Sequence, residues 1–175
     1  MAARRGPAEL KRWQRNAVSR AVAVRRATNA FIARLPEAEI RRPRTQDRWS
    51  VKDVLAHLLA CDEETNRRLS LIARGQAQRI TWFESMDYAD RFNARTVRAL
   101  RRLGLPALQR RMQRAHAELV KRLERLPAEA FDDPTHAYPM IEWLPAPGWS
   151  HEREHIGEVK DWWRTRRKQR GRRAT

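Results

Sequence analysis

Within GWSHEREHIGEVKDWW, residues 148–163, two histidines stand four apart, His151 and His155. Neutral imidazoles at that spacing lie one above the other on a helix and can converge on a single divalent cation. With Ser150 as N-cap, His151, His155, Val159 and Trp162 follow at spacings of four, four and three, so both rings share a face with residues that seek a core. Two ligands are too few for tight binding, and another helix must supply a third. His57 is the candidate, set among Val54, Leu58 and Cys61 on the inward side of a separate amphipathic segment. His116, at the margin of its apolar stripe, and His136, in a proline-rich stretch, complete the five histidines.

The same residues admit two other readings. HEREH matches H-E-x-x-H, in which Glu152 would be the general base of a zinc protease. The extended form of that motif requires glycine at 158, where this chain has Glu158, although Asp161 falls where a final ligand would. Nor does the sequence offer a strand edge to hold a peptide. In the other reading no metal binds, and the histidines are hydrogen-bonded core and cap residues.

The elements that must position these rings follow from periodicity. Leu10, Trp13, Ala17, Ala21, Val24, Thr28, Phe31 and Leu35 draw one inward stripe, so a first helix runs from about residue 8 to 35 and stops at Pro36. A second opens at Ser50, where Asp53 completes a capping box and Trp49 with Val54 a hydrophobic staple, and closes at Gly75. Residues 76–88 lack a clear period and read as a crossover at one end of a bundle. Segments of about 88–103 and 106–126, broken at LGLP, together make a third helix. The stretch 128–148 holds four of the nine prolines and is irregular, and the fourth helix begins at Ser150. No strand alternation or repeat is present. The expected architecture is an all-α bundle of four long helices, one domain over residues 8–163.

Composition sets limits on the function. The 175 residues suit one domain with a buried core, and a single cysteine, Cys61, excludes an internal disulfide framework and points to the cytoplasm. No apolar run approaches the roughly 18 residues of a membrane span. The net charge of +17 attracts anions of many kinds, but the arginines are scattered and mixed with acids. The densest run, RTRRKQRGRR at 164–173, reads as a frayed helix end or disordered tail over 164–175. Binding of phosphate by that tail is the basis of a nucleic-acid reading.

RWSVKDVLAHLLACDEE, residues 48–64, resembles the second helix of the DinB/YfiT-like superfamily, and HEREHIGEVKDWW resembles its fourth, where H-x-x-x-H is the hallmark. The stretch from Asp87 to Phe131 is similar to the third helix of the branch that includes ClbS/DfsB-like proteins and thiol-dependent transferases. The resemblance implies a four-helix bundle with a long crossover between helices two and three, and His57, His151 and His155 as a metal triad. Cys61 departs from the pattern, at a position that is usually aromatic, and its thiolate would join or disturb the coordination.

Three imidazoles would leave a zinc or nickel ion its full charge and an open position, which makes a nucleophile of bound water or of a substrate thiol. Asp53, Glu154 and Glu158 are candidate acceptors for the free ring N–H groups, or else solvated helix charges. The implied chemistry is transfer involving a low-molecular-weight thiol, or hydrolysis, on a small-molecule substrate. Two other classes stand beside this enzyme: a binding or protective bundle without turnover, and a basic nucleic-acid binder. Trp82 and Phe83 of the crossover either cover the mouth of the site or form a homodimer contact.

Overall fold

The computed structural model describes residues 5–44, 49–83 and 85–172. Helix α1 spans Pro7–Ile32, with its proline in the first turn where a missing N–H costs nothing. A short α2, Glu37–Arg41, follows Pro36. Helix α3, Val51–Ala73, starts on the expected capping box: Ser50 Oγ accepts from the Asp53 N–H, and Asp53 accepts from the Ser50 N–H. It ends at Gly75, whose φ of 67° only glycine adopts readily, and Gln76 N–H there closes back on the Leu71 carbonyl.

Helix α4, Met86–Leu100, and α5, Leu105–Arg125, are separate helices rather than two parts of one. Gly104 ends the break as the N-cap of α5, and Pro106 sits in the first turn, where a proline starts a helix but cannot continue one. Helix α5 is the bundle member, packed on α1 and α3, while α4 leans against α3 from outside. The crossover therefore contains a helix of its own, after a single 3₁₀ turn at Ala77–Arg79. The proline-rich stretch holds a 3₁₀ turn, Ala128–Asp132, and one turn of helix α6, Met140–Trp143. Helix α7 spans His151–Arg172.

The start of α7 differs from the expectation at Ser150. A wide turn over Ala146–Ser150 runs straight into the helix, and the backbone break sits at Gly148, with ψ of −127°. Gly148 rather than Ser150 thus sets the direction in which α7 leaves the loop.

All regular structure among the described residues is helical, apart from an isolated bridge between Pro43 and Ser50. The four long helices α1, α3, α5 and α7 enclose an apolar interior made of two clusters. One part, around Val54, Leu58, Leu108 and Val159, lies under the first half of α3; the other, around Leu69, Leu123, Phe131 and Met140, lies toward its end. No described helix is long and apolar enough to cross a membrane.

The basic run after Trp163 is not a loose tail as far as Arg172: it is helical, and the last three residues lie outside those described. Glu39 explains the order. Its carboxylate accepts from Arg166 Nε at 2.6 Å and from Arg170 Nη1 at 3.2 Å, with Arg42 at 3.4 Å. The arginines cover it, leaving the side chain 4% accessible. The hydrogen bond from Arg166 holds the Glu39 pKa below the ordinary carboxylate value against the opposing effect of burial, with the charges of Arg166, Arg42 and Arg170 adding to it. A depressed carboxylate stabilises above its unfolded pKa and loses that contribution as pH falls through the folded one. Glu39→Gln is therefore expected to fray the last two turns of α7 at neutral pH, and acid below the ordinary carboxylate range to fray them in the wild type. Backbone amide exchange over residues 164–172 reads both; equal protection in variant and wild type would show that Glu39 does not hold the helix end.

Candidate metal centre

Helix α3 carries His57 two turns inside its cap, 3% exposed, and α7 carries His151 and His155 in its first two turns. Packing brings the two depths together. The Nε2 atoms of His57 and His151 lie 2.8 Å apart, and those of His151 and His155 3.1 Å apart. Cys61, one turn after His57, places Sγ 3.8 Å from His57 Nε2. The donor atoms that all lie within 4.8 Å of one another belong to His57, Cys61 and His151, two histidines and a thiol rather than the expected three histidines. His155 stands beside this group, its ring 4.9 Å from that of His57 and 4.3 Å from that of His151.

Hydrogen bonding alone gives these rings poor company. Burial lowers the His57 pKa to about 3, and the neighbouring His155 and His151 push it the same way, against a smaller effect of Asn93. The His151 pKa is also lowered, by burial and then by His155. Neutral imidazoles facing one another through Nε2 can share at most one proton per contact, and Nδ1 of both His57 and His155 is buried without a partner. The Trp49 ring lies 5.5 Å from that of His57 and shields it.

A divalent ion fits this donor set. At metal–nitrogen bonds of about 2.0–2.1 Å and a metal–sulfur bond of about 2.3 Å, tetrahedral geometry puts nitrogen donors roughly 3.3 Å apart and sulfur roughly 3.6 Å from nitrogen. The 2.8, 3.1 and 3.8 Å separations lie within about half an ångström of those edges. The thiol is the least ready donor, since burial, with Asp62 behind it, pushes the Cys61 pKa up to about 12.

The family model of the DinB superfamily matches residues 20–168. The chain belongs to the DinB superfamily. No curated protein and no solved structure matches it. The matched span takes in all of α3, α7 as far as residue 168 and the second half of α1, so the DinB bundle provides the frame in which these donors meet.

In this DinB chain the glutamate of HEREH does not serve the histidines. Glu152 is 4% exposed and forms a two-pronged ion pair with Arg25 of α1, Oε1 to Nε at 2.9 Å and Oε2 to Nη2 at 3.0 Å. Arg25 Nη2 also lies 2.9 Å from Asp62 Oδ2 of α3. The protease reading required a Glu152 carboxylate free to take a proton from metal-bound water; here both of its oxygens are held by Arg25 inside the bundle. Asp53 is likewise occupied, by the cap and by Arg101 at 2.8 Å. Of the acids proposed to orient the rings, Glu158 approaches, with Oε2 3.8 Å from His155 Nδ1. His116 and His136 stand elsewhere, beside Asp62 and Asp133 respectively.

Above the donors opens a cavity of about 550 Å³, lined by His57, Cys61 and His151 at one end. Five aromatic side chains contribute to its walls: Trp82 and Phe83 of the crossover, Phe92 of α4, and Tyr138 and Trp143 of the proline-rich stretch. Trp82 contacts Tyr138 and Trp143 edge-on at 4.9 and 5.4 Å, and Phe83 packs 5.2 Å from Phe92. Trp82 and Phe83 thus line the site. The sequence reading missed Arg68, which also lines the cavity, although its place 11 residues after His57 put it on the same face of α3.

Proposed function

We propose that this protein is a divalent-metal-dependent enzyme acting on a small molecule, a thiol-dependent transferase or a hydrolase. His57, His151 and His155 hold the metal, zinc or nickel by the nitrogen-rich donor set. The observation that carries this reading is the meeting of three imidazoles, two of them held neutral by burial, at the floor of an aromatic cavity large enough for a small substrate. When bound, a divalent ion supplies Lewis acidity that activates a thiol or water at neutral pH. The chain does the rest. Its aromatic walls take the apolar part of the substrate and exclude water, which strengthens charge interactions at the floor. Glu158, with Oε2 3.8 Å from His155 Nδ1, adds a negative charge behind that ring without a hydrogen bond to it.

A second reading rests on Cys61. Were its thiol a fourth ligand, the coordination would be closed, and the bundle would be a binding or protective protein with no position for a substrate.

The test is metal content by mass spectrometry of tag-free protein beside His155→Ala, followed by thiol consumption with an electrophilic small molecule. About one ion per chain, lost in the variant, with metal-dependent loss of free thiol or metal-dependent hydrolysis, is the expected result. No metal after incubation with zinc and nickel under reducing conditions would end the metalloenzyme reading and leave the histidines as core residues.

A further inference from the structure

Arg68 stands at the far end of the cavity from the histidines and is 7% exposed. His57, Cys61, Glu64 and Arg68 follow at spacings of four, three and four along α3 and line one wall. The arginine side chain leans back toward the start of the helix, where Nε donates to Glu64 Oε1 at 2.9 Å. Glu64 is also gripped by Arg67 through both of its oxygens, at 2.8 Å each. Two guanidinium groups share one carboxylate, so one positive charge stays uncompensated within this cluster.

That charge is aimed. Rings of Trp82, Phe83 and Trp143 lie 4.7, 5.2 and 5.7 Å from the Arg68 guanidinium carbon. Aromatic contacts fix a planar guanidinium while its N–H bonds, which lie in the plane, stay free to donate. Among the described residues no hydrogen bond uses Nη1 or Nη2, and neither atom is sealed within protein without a partner. Both therefore keep access to solvent on a side chain that lines the cavity. An arginine so placed, in an apolar enclosure and with its terminal nitrogens open, has the fork geometry that binds a carboxylate through two hydrogen bonds.

We propose that Arg68 is the anchor for a carboxylate on the substrate, and that the cavity takes an elongated, largely apolar acid whose thiol or electrophilic end reaches the histidines. Eleven residues of helix, less the backward lean of the arginine, separate the two ends by on the order of 12 Å. Arg68 is a positioning residue and takes no part in bond making. This proposal rests on the reading of the cavity as the substrate site of a metal centre.

The test uses ω-mercaptocarboxylic acids of increasing chain length, each beside its methyl ester, titrated calorimetrically into metal-loaded wild type, Arg68→Gln and Arg68→Lys, with circular dichroism and metal content measured on each. In the wild type the acid is expected to bind about tenfold or more tighter than its ester once the chain spans the cavity. Arg68→Gln should abolish that preference with its metal unchanged, and Arg68→Lys, which keeps the charge without the fork, should keep part of it. Equal binding of acid and ester by the loaded wild type overturns the proposal, without recourse to a variant, and so does a folded Arg68→Gln that still prefers the acid. Alkyl carboxylates without a thiol separate the two readings. Protein that loads no metal yet prefers these acids to their esters through Arg68 keeps the anchor and overturns the metalloenzyme, whereas loaded protein indifferent to the charge overturns the anchor alone.

Discussion

Arg25→Ala is expected to destabilise the fold by about 3–5 kcal/mol, the range for removing one partner of a buried ion pair. Arg25, Asp62 and Glu152 are each 4–5% exposed, and come from α1, α3 and α7. Burial works against the arginine's charge, yet Asp62 and Glu152 outweigh it and hold its pKa above the ordinary value. Without Arg25 two carboxylates would face each other in the interior with no cation between them. For a chain of this size the melting temperature should fall by on the order of 10 °C. The same change should weaken metal binding although α1 supplies no donor, because Asp62 follows Cys61 and Glu152 follows His151 directly in sequence. Glu152→Gln, which leaves Arg25 its bond to Asp62, should cost less. A structural role predicts loss of stability with this variant, and a general base predicts loss of activity with stability intact, so thermal melts separate the two.

His57→Ala is expected to lower metal affinity by at least about a hundredfold, since even outer partners of metal ligands are worth 10–100-fold. Cys61→Ser decides the coordination. If three histidines hold the ion, the variant keeps its metal, and a cobalt-substituted wild type shows no thiolate-to-cobalt charge-transfer band in the near ultraviolet. A strong band that disappears in Cys61→Ser would place the thiolate on the metal and favour the closed, non-catalytic site. The buried thiol, with its pKa pushed up to about 12, must lose a proton to become a ligand, so any such band should grow in with rising pH.

Local signals in the chain were legible and distant ones were not. The Ser50–Asp53 box, Gly75 and the inward face of His57 depend on residues within one or two turns, and each was readable from spacing. The end of α7 was not, because its order depends on Glu39, 127 residues before Arg166. Glu152 resisted for the same reason: a short motif suggested a base, and only the fold brings Arg25 to it from 127 residues away. The division between α4 and α5 could be seen at LGLP, but which of them enters the bundle depends on packing against α1 and α3. Cys61 drew notice as a departure from the family pattern, and its distance to His57 gives that departure a geometry.

The indole of Trp49, 5.5 Å from the His57 ring, lies close enough that an open-shell ion such as nickel or cobalt at the histidines would drain its excited state, whereas closed-shell zinc would not. With Trp82 and Trp143 in the walls of the cavity that His57 lines, the protein carries built-in fluorophores both beside its histidines and along its cavity. Occupancy by metal and occupancy by an organic ligand can then be followed by emission from the unlabelled chain.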